Sequence, residues 1–87
     1  MENRFVIRIP KSVEKSIAKI PLPWRARLAK AIDALAVDPW YGEKMVGKLK
    51  EKRKIRVWPY RVLYTVLERK RIILILEVGH RGSISYK

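Results

Sequence analysis

The sequence predicts an α+β fold of two layers, in which a two-helix hairpin packs on one face of an antiparallel sheet of four to five strands. The N-terminal run alternates between two faces, two amphipathic segments are bounded by prolines, and β-rich runs fill the second half of the chain. A chain of 87 residues forms a single domain with one modest core. We therefore expect the order β-α-α-β-β-β within one domain that spans residues 1–87.

The first half of the chain contains one predicted strand and both predicted helices. Phe5, Ile7 and Ile9 alternate with residues of the other face, and Pro10 ends this strand. Two helices follow, separated by the Pro-Leu-Pro run at 21–23 and ended near 37–39. The apolar stripes that should form core are Val13, Ile17 and Ile20 in the first helix, and Trp24, Leu28, Ala31, Ile32 and Leu35 in the second.

The second half is predicted to supply the rest of the sheet. Residues 40–44 are expected to form a loop, and residues 45–49 a short edge strand. Two β-rich runs joined across a proline predict a hairpin at residues 54–65. A tight turn at 68–70 leads into the apolar run 71–78, which we expect to be the most buried strand.

The hairpin is expected to place cations on the sheet face that the helices leave open. Lys54 and Arg56 are two residues apart on one strand and point the same way, about 7 Å apart, and Arg61 reaches the same face from the partner strand. Residues 48–61 carry +6 of the total charge of +13. So concentrated a positive field predicts a polyanionic partner, most simply nucleic acid.

The composition narrows the class of protein further. The chain has no cysteine, which excludes disulfides and thiolate metal sites and fits a reducing compartment. No signal-peptide h-region is visible at the N-terminus, and the longest apolar run, 72–76, is too short to cross a membrane. Residues of the metal-ligating types are few and scattered, so no metal site and no cofactor are expected. We expect a soluble cytoplasmic protein.

Two local patterns resemble the RelE/ParE superfamily of toxins from bacterial and archaeal toxin–antitoxin pairs. The first, at 54–64, is basic-apolar-basic-apolar, a turn, and then Tyr-Arg-Val-Leu-Tyr. The second, at 78–81, is Val-Gly-His-Arg, with Tyr86 close behind. In this family RelE-type members cut messenger RNA in the ribosomal A site. The resemblance implies that the functional positions are Lys54, Arg56, Arg61, Arg81 and Tyr86.

The resemblance also implies partners. These are a cognate acidic antitoxin, with a toxin–antitoxin heterotetramer as one assembly, and messenger RNA on the ribosome. ParE-type members share the fold but act on DNA gyrase and generally lack the full cationic set, so the set retained here favours the RelE type. The two alternatives are a non-nuclease, ParE-like inhibitor of gyrase and a basic RNA-binding module without catalysis.

The reaction implied by the resemblance is attack of a ribose 2′-hydroxyl on the adjacent phosphate. With a single histidine in the chain and no clustered carboxylates, cations and tyrosine are left for this chemistry. Arginine suits bidentate phosphate contacts, so Arg61 is assigned to the scissile phosphate and Arg56 to the same or a neighbouring one. Lys54 is the candidate base, because neighbouring cations favour loss of its proton. Arg81 would stabilise or protonate the leaving group, and Tyr86 would stack on a base or orient the 2′-hydroxyl.

Further contacts to RNA or the ribosome are expected from the basic residues around the hairpin and from the single histidine. His80 has three readings, namely a general acid, a phosphate contact and a turn residue that caps the buried strand, of which we favour the last two. The expected RNA- or ribosome-binding residues are Lys48, Lys50, Lys52, Arg53 and His80.

Overall fold

The computed structural model describes residues 4–45, 47 and 51–80. These residues form two helices and a sheet of five strands. In chain order the elements are β1 (Val6–Arg8), α1 (Lys11–Ala18), α2 (Leu22–Leu35), β2 (Glu43–Lys44), β3 (Lys52–Val57), β4 (Tyr60–Leu67) and β5 (Ile72–His80).

Prolines mark where each helix begins. Pro10 and Pro21 are the N-cap residues of α1 and α2, and Pro23 lies in the first turn of α2, where a backbone N–H would have no partner inside the helix. The predicted apolar stripe of α2 is confirmed, because Leu28, Ile32 and Leu35 are buried. Within the described ranges, neither helix is long and apolar enough to span a bilayer.

The strand order across the sheet is β1-β5-β4-β3-β2. The two hairpins β3–β4 and β4–β5 are antiparallel, as predicted, but β1 pairs in parallel with β5. The predicted two-layer fold is therefore confirmed with a mostly antiparallel sheet, and the β1–β5 pairing is the one departure from the prediction among the described strands. A tight turn fixes the relative direction of strands that are neighbours in sequence, whereas β1 meets the last strand of the chain, so no turn sets its direction.

The second edge strand also differs from the prediction. Residues 43–44 form β2 by pairing with Arg53 and Lys54, so the predicted loop over 40–44 is shorter and the strand begins before the expected 45–49. Of that predicted strand, residues 46, 48 and 49 lie outside the described part of the chain. The turn predicted at 68–70 is present, and its final residue Arg71 has a positive φ of 56°.

The core lies between the two helices and one face of the sheet. Ile73 and Ile75 of β5 and Val62 and Tyr64 of β4 are fully buried against the helices. A register shift in the β4–β5 ladder falls between Leu63 and Tyr64. Among residues 4–45, 47 and 51–80, no helix covers the opposite face of the sheet, and the hairpin cations lie on that face.

Candidate active site

Strand register brings three of the predicted cations together on the open face. Ile55 and Val62 are cross-strand partners buried in the core, so the next pair along the hairpin, Arg56 and Arg61, points to the other side. Directly opposed residues have Cβ atoms about 5 Å apart, so these two guanidinium groups extend from neighbouring points. Lys54, opposite Leu63, lies on the same face. The predicted grouping of the hairpin cations is thus present.

The β3–β4 connection holds the two arginines in this register. Only Trp58 and Pro59 separate the strands, and Val57 pairs with Tyr60 to close the turn. A connection this short leaves no slack for the strands to slide. A slip of one residue would also send Arg61 into the core and Val62 to solvent. The opposition of Arg56 and Arg61 is therefore fixed by turn length and core packing together.

A carboxylate that the sequence did not single out lies beside these cations. Glu43 of β2 is the cross-strand partner of Lys54, and its Oε1 lies 3.9 Å from Nη2 of Arg56. The two side chains remain 64% and 62% exposed, so the ion pair is a weak one. Glu43 and Arg56 both line a groove of about 250 Å³. The residues that line this groove are Tyr41, Gly42, Glu43, Lys54, Ile55 and Arg56.

No sequence pattern singles out Glu43, because its position depends on a strand of only two residues. Pairing through Glu43 and Lys44 is what turns this side chain towards the cations. On its own, a glutamate after Trp-Tyr-Gly fits a solvated loop equally well. Only the register with β3 shows that it belongs to the same face.

The loop that precedes β2 is anchored from the helix side of the sheet by Tyr64. Its buried hydroxyl donates a hydrogen bond to the Pro39 carbonyl and accepts one from the Gly42 N–H, both at 2.8 Å. Burial raises the pKa of the Tyr64 phenol above its ordinary value of 10.0, although the Gly42 hydrogen bond and the charge of Arg53 act to lower it. The phenol therefore stays protonated and able to donate.

Arg53 holds the same loop from a second direction. Its Nη1 donates to the carbonyls of Gly42 at 2.8 Å and Trp40 at 3.2 Å, and its guanidinium lies 5.1 Å from the centroid of the Trp40 ring. As the cross-strand partner of Tyr64, Arg53 lies on the helix side of β3, away from the three cations. Arg53 is thus a structural residue of this loop, whatever it contributes to RNA binding.

The remaining predicted residues fall in different places. Lys52 pairs with Thr65 on the open face, so it extends the line of Lys54 and Arg56 along β3. His80 pairs with Tyr60, which packs against the core, and the two rings meet edge to face at 5.8 Å between centroids. The structure therefore does not bring His80 to the cations of the open face. The predicted residues outside the described part of the chain are Lys48, Lys50, Arg81 and Tyr86.

A second, mainly apolar cleft of about 280 Å³ lies between α2 and the outer strands. Ala31 and Ala34 of α2 form one wall, and Ile55 and Val57 of β3 form the other. Arg56 lines this cleft as well as the groove that holds Glu43. Arg56 thus borders both an apolar and a polar surface.

Comparison with known proteins identifies the family. The family described as the ParE toxin of type II toxin-antitoxin system, parDE, matches residues 7–84. No curated protein sequence matches the chain.

Solved structures of RelE toxins share the fold. The toxin–antitoxin complex RelBE2 from Mycobacterium tuberculosis matches with a TM-score of 0.80 at 24% identity, covering 90% of this chain and 99% of that one. The archaeal RelE–RelB complex from Pyrococcus horikoshii matches with a TM-score of 0.76 at 25% identity, covering 93% and 99%. The isolated Escherichia coli RelE toxin matches with a TM-score of 0.76 at 19% identity, and the match covers 87% of this chain and 83% of that one.

The fold and the sequence match agree. The structures show that the two helices and the mixed sheet are arranged as in RelE toxins, and the family match extends over nearly the whole chain. This chain therefore belongs to the ParE toxin family, within the RelE/ParE superfamily, and is a toxin of a type II toxin–antitoxin system.

Proposed function

We propose that this toxin is a metal-independent endoribonuclease of the RelE type, which cuts messenger RNA in the ribosomal A site. The observation that carries the proposal is the direct opposition of Arg56 and Arg61 on an open face that also holds Lys54. Like charges placed directly opposite each other on neighbouring strands destabilise a sheet. An anion bound between them removes that cost, and the backbone phosphate of RNA is such an anion.

In this proposal each side chain has a role that follows from its position. Arg61 and Arg56 hold the scissile phosphate between them and stabilise the charge that builds up on its oxygens during the reaction. Lys54, one pair further along β3, adds positive charge at the ribose side, and Lys52 continues the track for the next phosphate. Arg81 and Tyr86 remain the proposed leaving-group and base-stacking residues.

The experiment is primer extension on messenger RNA in a translating extract. Cuts inside codons that need the ribosome should appear with the wild type and vanish with Arg61→Ala and Tyr86→Ala. Arg8→Ala is the matched control, because Arg8 is an exposed strand arginine of β1 at the far edge of the sheet, and it should cut like the wild type. Intact messenger RNA with continued toxicity in cells would overturn the proposal.

A second candidate is inhibition of DNA gyrase, which the match to the ParE family favours. In that case toxicity should survive the loss of Arg61, and purified toxin should block supercoiling by gyrase. Wild type and Arg61→Ala assayed side by side for messenger RNA cleavage and for supercoiling distinguish the two functions. Binding to RNA that weakens with salt, without cleavage in either assay, would instead indicate an RNA-binding module.

We also propose an acidic antitoxin as the neutralising partner in the cytoplasm. The chain carries a net charge of +13, and an acidic partner lowers the repulsion among these cations when it covers them. RelE–RelB complexes among the structural neighbours support a partner of this kind. Binding that weakens steeply as salt rises, with a heterotetramer seen by light scattering, is the expected result.

A further inference from the structure

Glu43 is the carboxylate closest to the proposed phosphate-binding arginines within the described part of the chain. Its Oε1 lies 3.9 Å from Nη2 of Arg56, and its backbone pairs with Lys54. The second carboxylate that strand register places on this face is Glu77, which pairs with Leu63 on the far side of the cations from β2. The nuclease reaction needs a proton acceptor, and position alone favours Glu43 for that role.

The choice between Glu43 and Lys54 as the acceptor rests on their chemistry. An ammonium group must first lose a proton before it can accept one, and its stable charged form cannot act as a base. A carboxylate carries the required lone pairs in its usual charged form. Both Lys54 and Arg56 adjoin Glu43, so the carboxylate lies beside the groups that would bind the phosphate.

We propose that Glu43 is the general base that accepts the proton of the ribose 2′-hydroxyl, while Lys54 and Arg56 act as charge-stabilising groups beside it. The inference rests on the proposed nuclease function and names a residue for its first step. The 2′-oxygen attacks phosphorus, the bond from phosphorus to the 5′-oxygen breaks, and the proton of the 2′-hydroxyl passes to Glu43. The 5′-oxygen takes a proton from water, and Glu43 returns its own to water, so the products are a 2′,3′-cyclic phosphate and a 5′-hydroxyl.

The weak ion pair of the free toxin is compatible with this role. At 3.9 Å the Glu43–Arg56 contact exceeds hydrogen-bond distance, and both side chains are more than half exposed. A phosphate on Arg56 would therefore displace the carboxylate at little cost and leave it near the ribose that is joined to that phosphate. The groove of about 250 Å³ around Glu43 leaves space for a sugar on this side of the arginines.

Within the described part of the chain, few other charged or titratable groups line the groove. Tyr41 comes from the loop before β2, and Lys54 and Arg56 come from β3. Asp38 lines the neighbouring apolar cleft rather than this groove. Lys44 is next to Glu43 in sequence, but strand alternation turns it to the opposite face. If the cleavage rate falls at low pH, Glu43 is therefore the group of this groove that would account for the fall.

The test is single-turnover cleavage of a short messenger RNA on programmed ribosomes, followed from pH 5 to pH 9. Glu43→Gln keeps the shape and removes the base, so the rate should fall by about 100-fold or more. The wild-type rate should decline in acid, as the carboxylate takes up a proton, and the Gln variant should lack that decline. Glu43→Asp, which restores a carboxylate, should recover part of the rate. Glu68→Gln, in the exposed β4–β5 turn, is the charge-matched control and should stay within about twofold.

Each outcome is decisive for one of the two proposals. If Glu43→Gln cleaves at the wild-type rate or faster, Glu43 is only a counter-ion of Arg56, and this inference is wrong while the nuclease function stands. If the wild type itself cuts nothing, the nuclease function falls, and this inference falls with it. Matching thermal unfolding curves for wild type and Glu43→Gln show that the variant is folded.

Discussion

Replacing Tyr64 by phenylalanine tests how the fold holds the candidate site in place. The substitution keeps the buried ring and removes only the hydroxyl, which joins Pro39 and Gly42 through two 2.8 Å hydrogen bonds. Tyr64, Pro39 and Gly42 are all buried, so water cannot readily replace the lost partner. The Gly42 N–H and the Pro39 carbonyl would each be left without the bond that they have in the wild type.

The expected loss of stability follows from these two bonds. A buried hydrogen bond contributes about 1 kcal/mol net to the free energy of unfolding, so the loss of two should cost about 2 kcal/mol. For a domain of this size, 1 kcal/mol corresponds to about 4–8 °C in Tm, which gives a decrease of about 8–16 °C. Tyr41→Phe is the matched control, because Tyr41 is 74% exposed and the change should cost less than about 0.5 kcal/mol.

The assay is urea and thermal unfolding of the purified variants, followed by circular dichroism. A Tyr64→Phe protein within 0.5 kcal/mol of the wild type would show that the hydroxyl is not a stabilising anchor, and the reasoning from the buried bonds would be refuted. A large loss in Tyr41→Phe as well would point to a general sensitivity of the domain rather than to this anchor.

Three further predictions concern the same region. Gly42→Ala should destabilise the domain by about 1–3 kcal/mol in the same unfolding assay, since a Cβ there would come within 2.7 Å of Cε1 and 2.9 Å of Cζ of Tyr64. Because the pKa of Tyr64 is raised, its protonation contributes stability below pH 10.0, and that contribution is lost as the pH rises through the raised value. Urea unfolding across pH 9–11 should therefore show that the difference in free energy of unfolding between the wild type and Tyr64→Phe narrows above pH 10.0. Inorganic phosphate should raise the Tm of the wild type and of Arg8→Ala more than that of Arg61→Ala, measured at constant ionic strength, because a bound anion stabilises the folded state.

Those parts of the fold that follow from local patterns were predictable. Helix α2 combines an apolar stripe with prolines at its start, and each feature indicates the same element independently. The β3–β4 hairpin is specified by alternation on both sides of a short turn, so the common face of Arg56 and Arg61 followed from the sequence. In both cases, the residues that determine the structure are close together in the chain.

The parts that were missed depend on contacts between distant segments. The direction of β1 is set by β5, and nothing within residues 6–8 indicates it. Arg53 stays a predicted RNA-binding residue, but its bonds to Trp40 and Gly42 could not be predicted, because they arise only when β3 meets the loop. Glu43 was overlooked for the same reason.

The Tyr64 hydroxyl and the proposed base Glu43 can be tested together, because the hydroxyl bonds Gly42, which directly precedes Glu43 in the chain. If Tyr64 affects cleavage only by placing the Glu43 carboxylate, then once that carboxylate is gone, removing the hydroxyl should change the rate no further. We therefore expect Tyr64→Phe to slow single-turnover cleavage in the wild-type background and to have little effect in the Glu43→Gln background. Independent effects, which would multiply in the double variant, would show that Tyr64 affects cleavage by a route other than placement of the Glu43 carboxylate. Because contacting or coupled residues depart from additivity and distant ones do not, this cycle separates a positioning role from a purely structural one.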